Sequence, residues 1–386
     1  MNNTLKHWRE AATLILAAGC QHLSAMPKIT TQGPCDSHQK NTAFDYKVLL
    51  LQRSKKSGFM PNAYVFPGGL VEPSDFSNDW VKVFERYVDK PNFGLGIVKQ
   101  PPDTRPPMFL TDRTKFGSLI PNEVAFRICA IRETFEESGI LLVVPENSDI
   151  EDNQKLKAAY EENGETVAKW REEVQNDPLR FIEMCKELQC VPNIWALHEW
   201  GNWLTPVFSN NSRARRYDTA FFICCLPRKP VTSNDQKEVT SFIWLTPQEA
   251  IEGHRNKTWV PPPQFVEFSR LCNFTHFQEL QEFTLHRALE GCERWFSVVV
   301  HARDGMIHIL PGDDLYPDDP DVTGQTEKTY STNKTIEELV RDKKNINRFL
   351  LVDGVPQCLV TIQPKYKHIK PVMLQLHSGT EPKSQL

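Results

Sequence analysis

The stretch from Pro121 to Gly139 constrains this chain more than any other, because two opposed surfaces share one short segment. Val124, Ile128, Ile131 and Phe135 recur at helical spacing and form an apolar stripe that requires a core to pack on. Glu133, Glu136 and Glu137 lie three and four residues apart, so on a helix they project together from the other side. Pro121 suits a first helical turn and Gly139 the residue just past the last one. Carboxylates this close repel, and a like-charged pair four apart costs a few tenths of a kcal/mol. A hard divalent cation removes that penalty, and phosphate oxygens can complete its coordination shell. The plainer alternative is a solvated acidic face on which Arg132 pairs with Glu136.

Upstream, Phe66-Pro67-Gly68-Gly69 reads as the end of a strand and a tight turn, followed by an acidic segment with Glu72 and Asp75. Paired glycines let a backbone approach a ligand closely or take positive φ without penalty. Together with Arg132-Glu133-x-x-Glu136-Glu137-x-Gly139, this run resembles the Nudix box, Gly-x5-Glu-x7-Arg-Glu-U-x-Glu-Glu-x-Gly-U, where U is bulky and apolar. Gly69 takes the opening position, Asp75 stands where the family has its first Glu, Thr134 replaces one U, and Ile140 supplies the last. The box is also split, with residues from Phe76 to about Asn122 between Asp75 and the helix.

The resemblance implies an α+β fold, an α/β/α sandwich with a mixed sheet. Residues 8–271 would form this domain, with insertions at about 76–121 and 151–190. A β-rich extension over 272–383 and a C-terminal tripeptide follow. It also implies Mg²⁺ or Mn²⁺ held by Glu133 and Glu137, with Glu136 bound directly or through water, and Arg132 orienting the carboxylates. The general base is open: Glu136 and Glu238 are candidates, with Glu199 an outsider.

Coenzyme A-hydrolysing members of the family carry Leu-Leu-Thr-x-Arg-Ser-x3-Arg-x3-Gly-x3-Phe-Pro-Gly-Gly before the box. Here Leu49-Leu50-Leu51-Gln52-Arg53-Ser54 stands at the same distance from Phe66-Pro67-Gly68-Gly69, with Gly58 and Asn62 at the internal Arg and Gly positions. The similarity implies that coenzyme A and acyl-coenzyme A are substrates, contacted by Arg53, Phe66, Gly68 and Gly69. The expected products are adenosine 3′,5′-bisphosphate and (acyl-)4′-phosphopantetheine. Arg213, Arg215 and Arg216 form a second basic cluster able to meet phosphate, or else a solvated loop. Acyl selectivity is expected to lie with the two insertions. Competing readings are hydrolysis of ADP-ribose or NADH, and a non-catalytic nucleotide-binding protein.

A formal net charge of -4 argues against a nucleic-acid partner, since phosphate backbones require clustered Lys and Arg. The ten cysteines are scattered, with no Cys-x-x-Cys pair, which fits reduced thiols and no structural zinc. The apolar run Ala11–Gly19 is too short to span a membrane and is expected to be the first strand, although it resembles a signal-peptide core. The final Ser384-Gln385-Leu386 resembles the peroxisomal Ser-Lys-Leu address, so an import receptor is the expected partner and the peroxisome the expected compartment. The mitochondrion and cytosol are the alternatives.

Further strands are expected at Phe44–Arg53, Ile140–Val144, Leu197–Val207 and Tyr217–Leu226. Two charged helices should break near Asp177-Pro178, and Thr246-Pro247 should open a helix after a closing strand. Trp80, Val83, Phe84 and Tyr87 give the first insertion an amphipathic start, after which Pro101–Pro107 blocks regular pairing. Beyond Leu271 a helix over Phe277–Leu289 is expected, then two strand pairs turned by Asp304-Gly305 and Asp353-Gly354.

Overall fold

The computed structural model describes residues 7–20, 43–149, 164–207, 215–234, 239–253, 258–325, 330–341, 343–352 and 355–372. Its first strands are β1 (Arg9–Gly19), β2 (Tyr46–Arg53), β3 (Tyr64–Val65) and β4 (Gly68–Leu70). After the acidic helix (Asn122–Ser138) come β5 (Val143–Pro145), β6 (Cys190–Pro192), β7 (His198–Leu204), β8 (Tyr217–Leu226) and β9 (Val239–Leu245). The C-terminal strands are β10 (Arg294–Phe296), β11 (Val298–Ala302), β12 (Gly305–Ile309), β13 (Tyr330–Ser331), β14 (Asn347–Val352) and β15 (Val355–Val360).

β1 lies inside an eight-stranded mixed sheet ordered β10-β7-β8-β1-β2-β3, with β4 paired to β1 and β9 to β2. On one edge β1 runs parallel to β8 from Arg9↔Tyr217 to Ala18↔Leu226. Its other edge is shared: Ala11–Thr13 pair with β4, and Ala17–Gly19 pair with β2, both antiparallel. A strand flanked on both edges and covered on both faces must be apolar throughout, and Ala12 and Leu14–Ala18 are all buried. The run that resembled a signal-peptide core is therefore the central strand.

Successive side chains of a strand point to opposite faces, and β1 divides its residues accordingly. Leu14 and Leu16, with Leu49 and Leu51 of β2, pack against Val124, Ile128, Ile131 and Phe135 of the acidic helix. Ile15 and Ala17, with Val48 and Leu50, pack against Phe265, Phe268 and Leu271 of the Pro262–Leu271 helix. Helices on both faces of a mixed sheet give the α/β/α sandwich expected from the sequence.

Both insertions close over the acidic helix. Trp80, Phe84, Tyr87 and Phe109 of the first enter its core, and the Trp80 ring meets Phe181 of the second at 5.8 Å. The second contributes the helices Gly164–Asn176 and Arg180–Glu187, broken at Asp177-Pro178. The proline-rich stretch makes two short helical turns, Pro102–Thr104 and Pro107–Leu110, and buries Arg105 between them. Proline denies a ladder hydrogen bond without denying packing, so this stretch is part of the core.

The C-terminal region forms a five-stranded sheet ordered β13-β11-β12-β14-β15, stapled by the fully buried Arg348–Asp313 pair at 2.6 Å. Asp304-Gly305 turns the β11–β12 hairpin, whereas residues 353 and 354 lie outside the described residues. Phe349 packs on Phe265 with ring centroids 5.7 Å apart, which seats this sheet on the Pro262–Leu271 helix. The helix beyond Leu271 spans Phe277–His286, and β10 after it joins the large sheet alongside β7. No described helix is long and apolar enough to cross a membrane.

Candidate active site

β4 delivers the paired glycines to the acidic helix. Gly68 has φ +150°, and a Cβ there would collide with Ala12 O and the Thr13 backbone, so only glycine lets β4 lie this close to β1. Thr13 fixes the turn by donating Oγ1–H to Pro67 O at 2.8 Å, while Leu14 N–H donates to the same carbonyl at 2.9 Å. Thr13 went unremarked in the sequence, although a lone hydroxyl in so apolar a strand was a signal for such a role.

The helix places its carboxylates against this bend. Gly68 N–H donates to Glu137 Oε2 at 2.8 Å, and a Cβ on Gly69 would run into the Glu133 carboxylate. The absent side chain at Gly69 is thus the space that Glu133 occupies. Glu133 and Glu136 are mostly buried, and Arg132 Nη1 donates to one oxygen of each at 2.8 Å. Burial first, and the neighbouring Glu133 charge second, push Glu136 up to about 7 against the pull of Arg132.

Arg132 also rejoins the split box. Its Nε and Nη2 donate to Asp75 Oδ1 and Oδ2, both at 2.9 Å, across 57 residues of sequence. Asp75 and Arg132 are each 1% exposed, and Nη2 reaches Leu70 O at 3.0 Å as well. Asp75 Oδ2 accepts from Glu72 N–H at 2.9 Å, which pins the segment leaving Gly69. The shorter acid at this position is a structural clamp on the arginine. Thr134 is fully buried and returns its hydroxyl to Ala130 O at 2.7 Å, which a helix interior tolerates. Two further residues act on the helix end: Arg171 Nε and Gln175 Nε2, from the second insertion, donate to Glu136 O at 2.9 and 2.7 Å. Nothing in the sequence pattern indicated that pairing, because it depends on how the inserted helix docks.

Other expected site residues lie elsewhere. Phe66 is 2% exposed and packs on Phe268 and Phe221 in the opposite core, so its aromatic ring is structural. Arg53 braces its own turn, donating Nε to Phe59 O at 3.1 Å and Nη2 to Ser57 Oγ at 2.9 Å. Asn62, at the position where the motif has Gly, takes φ 61°, a conformation asparagine tolerates better than most residues. Glu199 is buried in a bidentate pair with Arg105 at 2.7 and 2.8 Å. Burial alone would raise it, but Arg105, Arg127 and Arg287 hold it below the ordinary carboxylate range. It is a structural anion, and the outsider reading of it as a base is set aside.

Arg216 donates to Thr205 O and Val322 O, tying the large sheet to the C-terminal region, and Arg215 lies near the turn at Gly58. Arg213, Glu238 and Ser384–Leu386 lie outside the described residues.

No three His, Cys, Asp or Glu side chains among the described residues converge at ligand spacing. Arg132 Nη1 engages one oxygen each of Glu133 and Glu136, and the Gly68 amide engages Glu137 Oε2. The donor chemistry nonetheless fits a hard divalent cation: three carboxylates, all oxygen, beside a bend whose missing Cβ leaves them room. All nine described cysteines are free thiols.

The family model of the NUDT19 Nudix domain matches residues 8–271, and that of the NUDT19 C-terminal domain matches residues 299–359. The Xenopus laevis protein named acyl-coenzyme A diphosphatase NUDT19 is 60% identical over 379 residues, covering 98% of this chain and 99% of that protein. The Homo sapiens protein of the same name is 41% identical over 368 residues, 94% of each. A crystal structure of a Nudix hydrolase from Alicyclobacillus acidocaldarius overlaps with TM-score 0.47 at 16% identity, covering 71% of this chain and 96% of that one.

Proposed function

The chain belongs to the NUDT19 Nudix family, and from that premise we propose that it hydrolyses the diphosphate of coenzyme A and acyl-coenzyme A esters. The products are adenosine 3′,5′-bisphosphate and (acyl-)4′-phosphopantetheine. The observation that carries this reading is the Asp75–Arg132 clamp, which brings Gly68-Gly69 and the three glutamates into one site despite the interruption.

Glu133 and Glu137 would hold Mg²⁺ or Mn²⁺, with Glu136 bound directly or through water. Such a cation, when bound, polarises the phosphate oxygens and lowers the pKa of a coordinated water. The chain itself supplies the remaining work. The Gly68-Gly69 bend makes room for the Glu133 carboxylate, and its Gly68 amide fixes Glu137, so the acids stand close beside β4. Arg132, locked by Asp75, keeps Glu133 and Glu136 oriented and offsets their charge. Glu136 retains one oxygen beyond its Arg132 bond and stands as the candidate base by position. The Ser384-Gln385-Leu386 tail supports a peroxisomal location and recognition by an import receptor.

Mass spectrometry of the products from a mixed pool of dodecanoyl-coenzyme A, coenzyme A, ADP-ribose and NADH, with Mg²⁺ or Mn²⁺, tests the proposal. Adenosine 3′,5′-bisphosphate should appear first and in excess. Preferential loss of ADP-ribose or NADH would replace this reading with another nucleotide substrate.

A further inference from the structure

Building on the acyl-coenzyme A reading, we propose that the cleft between the two insertions holds the acyl-pantetheine arm of the substrate. Its volume is about 690 Å³, within the roughly 300–1,000 Å³ usual for small-molecule sites. Its walls come from residues 72–74, which leave the glycine bend, from 76–78, 113 and 116–118 of the first insertion, and from 177–179 of the second. Every wall beyond the bend is therefore material that the uninterrupted box lacks.

Charge decides which end of the substrate belongs there. The charged side chains lining the cleft are Glu72, Asp177 and Arg113. Arg113 is already engaged, donating Nη2 to Glu10 at 2.6 Å and Nε to Asn122 at 2.9 Å, with its guanidinium 4.2 Å above the Phe76 ring. Two acids and one committed arginine repel the phosphorylated nucleotide and admit an uncharged arm. Phe116 and Leu179 line the same cleft and stand 67% and 43% exposed, offering apolar surface to an acyl chain. Ser74, whose buried hydroxyl oxygen has no hydrogen-bond partner, lines the cleft in the segment that leaves the bend. Glu72 lies three residues beyond Gly69, roughly 10 Å of extended chain, so a diphosphate at the bend reaches the cleft with its arm.

Leu179→Asp and Phe116→Asp test the assignment, because both positions are exposed and the substitutions leave the core intact. kcat/KM is measured for coenzyme A and for dodecanoyl-coenzyme A on each variant and on the unsubstituted protein. The expected result is a loss of about tenfold or more with the dodecanoyl ester, chiefly in KM, and less than twofold with coenzyme A. An unaltered preference between the two substrates, or an equal loss on both, overturns the cleft assignment while leaving the activity standing. An unsubstituted protein that cleaves neither substrate removes the activity reading and this proposal together.

Discussion

Asp75→Asn isolates the bond that closes the divided box. Arg132 donates five hydrogen bonds to Asp75, Glu133, Glu136 and Leu70, two of them to Asp75. Bonds to charged groups are each worth about 1.5–3 kcal/mol net. The asparagine keeps one acceptor and loses the second together with the charge. Arg132 remains paired to Glu133 and Glu136, so the full 3–5 kcal/mol typical of an orphaned buried charge is not reached. The expected loss is about 2–4 kcal/mol in urea unfolding, with the denaturant slope unchanged. Because Arg132 sets the direction of two glutamates, kcat on dodecanoyl-coenzyme A should fall about a hundredfold, as small misplacements in a site do. Asp75→Glu retains the charge at the cost of one extra methylene and should lose less than about 1.5 kcal/mol. If Asp75→Asn unfolds within 0.5 kcal/mol of the unsubstituted protein and keeps its kcat, the two halves are not joined through this pair, and the argument fails.

Glu137→Gln preserves an acceptor for the Gly68 amide, so its melting temperature should hold while kcat drops by about a thousandfold or more; retained turnover would remove Glu137 from the cation set. Gly69→Ala pushes against the movable end of Glu133, and should cost at most about 1 kcal/mol of stability but roughly a hundredfold in kcat, read in paired melting and rate measurements. Glu199→Gln should do the reverse, lowering stability by about 2–3 kcal/mol with kcat changed less than threefold in the folded protein; a collapse of kcat would restore Glu199 as a base. His308 is held to about 4, chiefly by burial and then by His301, below its ordinary 6.5. The unfolded chain therefore takes up that proton first as pH falls. The stability involved is complete above pH 6.5 and lost between 6.5 and 4, up to about 3 kcal/mol. His308→Asn should flatten melting temperature against pH in that window, and an unchanged slope would refute it.

The features legible in the sequence were those set by local periodicity. Val124, Ile128, Ile131 and Phe135 announced the buried stripe because helical spacing alone determines which face they share. The break at Asp177-Pro178 and the Thr246 cap, which accepts from Glu249 N–H at 3.2 Å, followed from proline and capping chemistry. What escaped was long-range. Phe66 reads as a ligand contact in a motif, yet the link between β3 and β4 sends its ring into the opposite core against Phe268. Glu199 reads as an available acid because its partner Arg105 sits 94 residues away in a stretch that proline makes look irregular. The grip of Arg171 and Gln175 on Glu136 O belongs to the same class, since docking between separate segments leaves no periodic trace.

The 57-residue interval between Asp75 and Arg132 bears on how such proteins acquire new parts. The uninterrupted pattern sets this acid eight positions before the arginine, and stretching that gap to its present length adds only about 2 kcal/mol of loop-closure entropy. Burying one large aromatic such as Trp80 offsets an increment of that size. The seam after Asp75 is thus a permissive graft point, where successive lineages can splice in further chain, each doubling adding well under 1 kcal/mol. A search that demands one unbroken string will pass over relatives of this kind; one that accepts two fragments joined by a variable gap will find them.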